Sequence, residues 1–219
     1  MEKFEVTIAS HQHLHFAQQI CAEMENSAKA RGTGIAKRKP EYIINKMMEG
    51  KAVVAYTEIG VWAGFCYIET WDGDYVANSG LIVNPVFRKS GLAKRIKQEI
   101  FSLSRKKYPK AKIFGLTTGL AVMKINSDLG YEPVTYSELT QDETFWKGCQ
   151  SCVNFDILKS KERTNCLCTA MLFDPNSQKI TDKPAEEFKL KSKLYERYMR
   201  VKTRMLLKIK PKILFAFSL

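Results

Sequence analysis

The sequence predicts an α/β domain in which strands and helices alternate, and two stretches carry that prediction. Residues 52–83 hold three strand-like runs in succession, parted by Glu58-Ile59-Gly60 and by Asp72-Gly73, the latter a hairpin signal. Residues 80–100 then pass from an apolar strand through a short polar turn into a basic helix.

Taken in order, Phe4 to Ala9 alternates as a strand does, and Ser10 is placed to cap a helix whose apolar face includes Leu14, Ala17, Ile20, Cys21 and Met24. Ala30 to Lys39 is polar and reads as a loop. Pro40 opens a second helix, Glu41 to Met48, which Gly50 closes. Strands follow at Ala52 to Tyr56, Val61 to Thr70 and Tyr75 to Val83, and Pro85 ends the last by removing a ladder donor. Leu92, Ile96, Ile100 and Leu103 recur at the helical period. Pro109 breaks the chain, Ile113 to Leu116 reads as a strand, Gly119 to Leu129 as a helix ending at Gly130, and Tyr131 to Tyr136 as a returning strand.

At 219 residues, with a hydrophobic fraction of 45% and seven prolines, the chain holds one domain of ordinary size plus an appendage. No charged-then-apolar leader begins at Met1 and no run of about 18 apolar residues occurs, so the cytoplasm is the default location. The net charge of +12 is concentrated at the end: residues 179–219 carry twelve Lys or Arg against four Asp or Glu. The basic balance therefore describes the tail more than the domain and gives little support to nucleic-acid binding. The expected division is a domain at 1–175 and a basic amphipathic tail at 176–219.

The turn Arg88-Lys89-Ser90-Gly91-Leu92-Ala93 has the makings of an anion site. Gly91 and Ala93 permit close approach of a ligand to the main chain, and the free N–H groups of a helix start face outward with the positive end of its dipole. A diphosphate fits there. Lys89-Ser90 lacks the glycine spacing of a P-loop, and Gly32-Thr33-Gly34 opens no helix after a strand.

This segment resembles motif A of the GNAT acyltransferases, Arg/Gln-x-x-Gly-x-Gly/Ala, with Arg88, Gly91 and Ala93 in its three places. Asp128-Leu129-Gly130-Tyr131 resembles the family's motif B, and the order of elements over residues 4–175 is the family's order. The resemblance implies a mixed, mostly antiparallel sheet flanked by helices, with two central strands splayed to admit the pantetheine arm of acyl-coenzyme A. It implies donor contacts from Ile82, Val83, Arg88, Lys89, Ser90, Gly91, Leu92 and Ala93. The regions Phe114 to Asn126 and Phe145 to Asn154 further resemble a bacterial branch of amino-acid N-acyltransferases of arginine synthesis, the N-acetylglutamate or N-succinylglutamate synthase type.

Acyl transfer from a thioester to an amine needs a base for the amine, a stabilised oxyanion and a proton for the departing thiolate. Glu69, at the end of its strand and close in chain to Asp72 and Asp74, is the candidate base, and Ser79 could align a water. GNAT enzymes often place a Tyr acid four residues before the motif B glycine. Asn126 stands there, and an amide has no proton to give a thiolate. Tyr75, Tyr131 and Tyr136 are alternative acids.

For the acceptor, the loop 31–38 sets Arg31, Lys37 and Arg38 between two helices that in this family overhang the acceptor site, and an arginine fork suits a carboxylate. Thr117 and Thr118 offer hydroxyls at a helix start to a second anion, or act as a plain cap. The expected acceptor is a small amino acid, glutamate first, with acetyl-CoA or succinyl-CoA as donor. The alternatives are a protein or peptide N-acetyltransferase and a non-catalytic module that binds coenzyme A or nucleic acid.

Cys149 and Cys152, then Cys166 and Cys168, form two close pairs that could hold a structural zinc; buried thiols in the last strands are the rival reading. His11, His13 and His15 read as solvated surface residues. In the tail, Leu190, Leu194, Tyr198, Val201, Met205 and Ile209 form an apolar stripe amid Lys and Arg, ended by Pro211. That stripe suits docking on the domain or on a sister chain in a homodimer, then an anionic membrane surface, then nucleic acid.

Overall fold

Seven strands form one sheet in the order β1-β2-β3-β4-β5-β7-β6 in the computed structural model, which describes residues 3–32, 37–71 and 73–177. The strands are β1 Phe4–Ile8, β2 Ala52–Thr57, β3 Trp62–Trp71, β4 Tyr75–Val83, β5 Lys112–Thr117, β6 Glu132–Val134 and β7 Thr169–Phe173. All neighbours pair antiparallel except β4 and β5, which are parallel. The helices are α1 Ala17–Arg31, α2 Pro40–Met48, α3 Leu92–Lys107, α4 Leu120–Asp128, α5 Glu143–Lys147 and α6 Phe155–Ser160. Asp72, residues 33–36 and the expected tail helix lie outside the described residues. Among those described, no helix is long and apolar enough to cross a membrane. Met1–Asn176 forms one compact unit and Ser177–Leu219 a second, of which only Ser177 is described.

The strand period of two sorts side chains cleanly between the faces. Val53, Ala55, Cys66, Ile68, Val76, Ile113 and Met171 turn toward α3, whose Leu92, Ile96, Ile100 and Leu103 complete one core. The opposite face carries two cores. Val54, Phe65 and Tyr67 pack against Ile20 and Met24 of α1 and Ile43 and Met47 of α2. Ala77, Phe114 and Leu172 pack under Trp146 of α5 and Leu158 of α6.

The break between those two cores follows from the pairing of β4. It meets β5 at only three positions, Tyr75 with Lys112, Val76 with Ile113 and Ala77 with Phe114, after which the parallel ladder stops. Against β3, Phe65 faces Ile82 but Tyr67 faces Ser79, so β4 carries one extra residue at Gly80-Leu81. Gly80 takes φ 65°, the left-handed conformation of a glycine bulge, which twists β4 away from its neighbour. The splay implied by the GNAT resemblance is thus present.

Two expectations are corrected. The segment after Ser10 begins as a 3-10 helix, His11–Phe16, before α1, so His13 turns inward and is buried. Its Nδ1 accepts from the Ser10 N–H at 3.0 Å, and its ring lies 5.4 Å from that of Tyr56. The strand expected over 131–136 shortens to β6, and Tyr136 opens a 3-10 turn instead. Neither α5, α6 nor β7, which slots between β5 and β6, was anticipated.

Gly80→Ala tests the bulge. A Cβ there would sit 2.4 Å from Cε1 of Tyr67 as well as in an unfavourable φ, so the variant should lose about 2–4 kcal/mol in urea unfolding.

Candidate active site

A cleft of about 950 Å³ occupies the gap between β4 and β5. Residues from both faces of the sheet line it. Arg38, Tyr42, Tyr67, Glu69 and Trp71 contribute from the α2 side, and Lys97, Val122 and Asn126 from the α3 and α4 side. Between them run Asn78 to Leu81 of β4 and Gly115 to Gly119 beyond the last β5 pair.

On the α2 side, Tyr67 and Glu69 point the same way from β3, two residues apart. The Arg38 Nε donates to the Tyr67 hydroxyl at 2.9 Å, and its guanidinium lies 5.2 Å from the centre of the Tyr42 ring. Lys46 of α2 reaches the same place, its Nζ donating to Glu69 Oε1 at 2.5 Å. That contact favours an ion pair, while burial penalises charge on both partners; the Glu69 side chain is 18% exposed and that of Lys46 11%. Burial outweighs the attraction. It pushes the Glu69 carboxyl up to about 7 against the opposing pull of Arg38, and lowers the Lys46 ammonium. Glu69 is therefore a carboxyl that exchanges its proton near neutral pH.

The α3 side holds a buried polar group of a kind rare in protein interiors. Lys97 is 2% exposed, and its Nζ faces the Tyr131 ring at 5.2 Å with no carboxylate partner among the described residues. Asn126 of α4 is 1% exposed, its Oδ1 has no hydrogen-bond donor, and its Nδ2 finds only Met171 Sδ at 3.8 Å. Asn78 is fully engaged by contrast. Its Nδ2 donates to Ser104 Oγ at 2.7 Å, and its Oδ1 accepts from the Tyr131 hydroxyl at 2.9 Å.

The turn ahead of α3 has the geometry expected of it. Lys89 and Gly91 take φ 65° and 81°, and the N–H groups of Leu92 and Ala93 donate to nothing among the described residues. Arg88 differs from expectation. Its guanidinium turns back to α1, donating to Glu23 Oε1 at 2.9 Å and Ser27 Oγ at 2.8 Å, so the anion-binding capacity of the turn rests on its backbone and dipole. Ser90 Oγ donates to the Phe87 carbonyl, Ile82 is in the α1–α2 core, and Val83 packs against the α3 core.

The remaining candidates divide. Ser79 lines the cleft, and its carbonyl accepts from Cys66 Sγ at 3.3 Å. Thr118 lines it as well, whereas Thr117 Oγ1 accepts from Gly119 N–H at 3.0 Å, as a cap would. Lys37 lines it while pairing with Glu25 at 3.3 Å. The Arg31 side chain lies outside what the structure describes. The three tyrosine hydroxyls all donate to oxygens already: Tyr75 to the Glu138 carbonyl, Tyr131 to Asn78 and Tyr136 to the Cys168 carbonyl. Burial raises the hydroxyls of Tyr131 and Tyr136 well above their ordinary range.

The zinc expectation gains no support from the placement of the cysteines. Cys149, Cys152, Cys166 and Cys168 all line the cleft, but among the described residues no three metal-ligating side chains are placed to hold an ion. Cys152 Sγ accepts from the Asn154 N–H, and Cys166 Sγ points to the Asn154 carbonyl, so the loop's own backbone takes up the sulfurs. Burial and the neighbouring thiols push Cys149 to about 11 and Cys168 to about 12, which keeps them as thiols.

Sequence reasoning did not single out Tyr67, Lys46 or Lys97. Lys97 left a signal: it stands seven residues before Ser104 on the buried stripe of α3, a cation where the pattern calls for an apolar residue.

No protein-family model matches the chain, and no curated protein matches it in sequence. Solved structures share its fold. N-acetylglutamate synthase from Neisseria gonorrhoeae, complexed with coenzyme A and N-acetyl-glutamate, aligns at TM-score 0.56 and 16% identity over 80% of this chain. The chain spans 36% of that synthase's length. A Mycobacterium tuberculosis protein in complex with coenzyme A aligns at TM-score 0.57 and 16% identity, over 78% of this chain and 98% of its own. The ribosomal-protein-S18-alanine N-acetyltransferase of Escherichia coli aligns at 0.50 and 11%, over 82% and 99%.

The raised Glu69 pKa has a stability consequence. Between about pH 4.5 and 7 the folded chain keeps a proton that the unfolded chain sheds, so unfolding free energy should fall as pH rises through that window, by up to about 3 kcal/mol. Carbon NMR of labelled glutamate should show one carboxyl titrating near pH 7, a signal absent from Glu69→Gln, and that variant's urea midpoint should depend less on pH.

Proposed function

We propose that this chain, which has the GNAT fold, is an acyl-coenzyme A-dependent N-acyltransferase. It moves an acetyl or succinyl group to the α-amine of an amino acid, glutamate first, in the cytoplasm as part of arginine biosynthesis. The observation that carries this reading is Glu69, a carboxyl near pKa 7 beside Arg38 in a cleft that passes through the sheet.

The donor enters from the α3 side. Its diphosphate rests on the free amides of Leu92 and Ala93 at the positive end of a 16-residue helix. Its pantetheine arm, an extended chain with two amides, lies in the gap where β4 has lost its parallel neighbour and needs new partners for its backbone groups. The acceptor enters from the α2 side. Arg38 keeps its Nη2 available to a carboxylate while its Nε is anchored on Tyr67 and its Nη1 donates to the Lys37 carbonyl at 3.1 Å, and Lys37 adds positive charge at the same mouth. Glu69 takes the proton from the acceptor's ammonium, and the freed amine attacks the thioester carbonyl directly, with no acyl-enzyme intermediate.

The test is release of free coenzyme A by the purified protein with glutamate, run with acetyl-CoA and with succinyl-CoA against a blank that absorbs its six thiols. Glutamate-dependent release with one donor is expected; binding of coenzyme A without it would overturn the acceptor and redirect the search to peptides. Glu69→Gln should lower kcat by about 10²–10⁴-fold and remove an acid limb near pH 7. Arg38→Met should raise the KM for glutamate at least about tenfold with a smaller effect on kcat.

A further inference from the structure

We propose that Lys97 is the proton donor to the sulfur that leaves when the acyl group is transferred. The inference rests on the acyltransferase reading above and adds to it a residue that motif comparison does not supply.

Three observations carry it. Lys97 is a buried residue that lines the cleft, and its Nζ has neither a carboxylate nor a hydrogen-bond acceptor among the described residues. Holding a lysine there costs free energy that the face of the Tyr131 ring returns only in part, which makes the place a candidate functional site. Its place is also distinctive. Of the residues that line the cleft from α3 and α4, Lys97 alone carries a titratable group, and it faces the gap from the opposite side of the sheet to Glu69. A base on one face and an acid on the other is the arrangement that an amine entering from one side and a thioester threaded from the other require. The third is the neighbouring Asn126, whose Oδ1 lacks a donor in the same pocket and so offers an acceptor that could steady the ammonium or a donor-arm amide.

The titratable groups around Lys97 are the Cys66 thiol from β3 and the Tyr131 phenol ahead of β6. Tyr131 is committed to Asn78, and burial raises both groups above their ordinary values, so neither competes as an acid near neutral pH. Burial moves Lys97 the other way, below its ordinary value.

The step balances as follows. The amine, having given one proton to Glu69, bonds to the carbonyl carbon. The C–S bond then breaks with its electron pair going to sulfur, and Lys97 passes a proton to that sulfur and becomes a neutral amine. The nitrogen of the adduct sheds its remaining surplus proton, which recharges Lys97 through solvent, and the one proton first taken by Glu69 is released to bulk water. Coenzyme A leaves as the thiol.

The test compares wild type, Lys97→Met and Lys97→Arg. All three are assayed for thermal melting, coenzyme A binding and pH–rate profiles with acyl-CoA, and then with an aryl thioester whose thiolate leaves without help. The expected results for Lys97→Met are melting at or above the wild-type temperature, coenzyme A binding within a few-fold, a fall in kcat of about 10²-fold or more with acyl-CoA, loss of the basic limb, and a rate with the aryl thioester close to wild type. Lys97→Arg should be as slow as Lys97→Met, because a guanidinium keeps the charge without yielding the proton. Recovery in Lys97→Arg would replace proton donation by charge stabilisation and overturn the proposal, as would an unchanged basic limb in Lys97→Met. A wild type that binds coenzyme A but releases none with any acceptor would instead overturn the acyltransferase reading and this assignment with it.

Discussion

The parallel ladder between β4 and β5 ends after three pairs, and everything functional in this molecule hangs on that ending. A sheet that stayed closed would have buried Asn78, Gly115 and their backbone groups between strands and left no route from one face to the other. The extra residue at Gly80-Leu81 starts the divergence. Tyr67 then fills the space that a larger side chain at 80 would have taken, which brings its hydroxyl to Arg38. On the α3 face a continuous core holds the two halves of the sheet together across the gap, while on the other face the cores stay separate and leave the cleft between them.

The gap also sets the chemistry, because it removes water from groups that the sequence supplies as ordinary charges. Glu69, Lys46 and Lys97 are all shifted toward their neutral forms by burial, the acid upward and the amines downward. Such groups cost stability, and perturbed groups gathered in a cleft are the trade that functional sites make. The exposed pairs elsewhere, such as Lys94 with Asp128 and Arg163 with Glu143, carry no such consequence.

Much of this was legible in the chain. Local signals with strong physical causes placed the elements that matter: Pro40 at the first position of α2, the span of β4, Gly91 in the turn before α3, and Glu69 near the end of β3. What stayed hidden depends on distant contacts. Arg88 is set in a phosphate-binding pattern, yet it is drawn to Glu23 and Ser27, more than sixty residues away in sequence. His13 is buried because a 3-10 turn, rather than an α-turn, rotates it onto Tyr56. The four cysteines have a metal-like spacing, but spacing along the chain does not fix where sulfurs point once the Asn154 backbone claims two of them. β7 lacks an alternating pattern because both its faces are covered where it lies between β5 and the edge strand β6.

The turn of Arg88 toward α1 has a mechanical meaning. With that guanidinium engaged, the grip on an anion falls to the backbone amides of Leu92 and Ala93, which cannot rotate away and need no side-chain ordering. Arg88 instead ties the loop before α3 to α1, through Glu23 and Ser27 and through its own Nε to the Val83 carbonyl at the end of β4. α1 packs on α2 in the shared core, and α2 carries Lys46, the partner of Glu69. The turn before α3 and the Glu69 carboxyl are thereby linked through the α1–α2 core, on the β4 side of the gap. The side chain that motif comparison assigns to the ligand instead holds the end of β4 and the turn before α3 against α1.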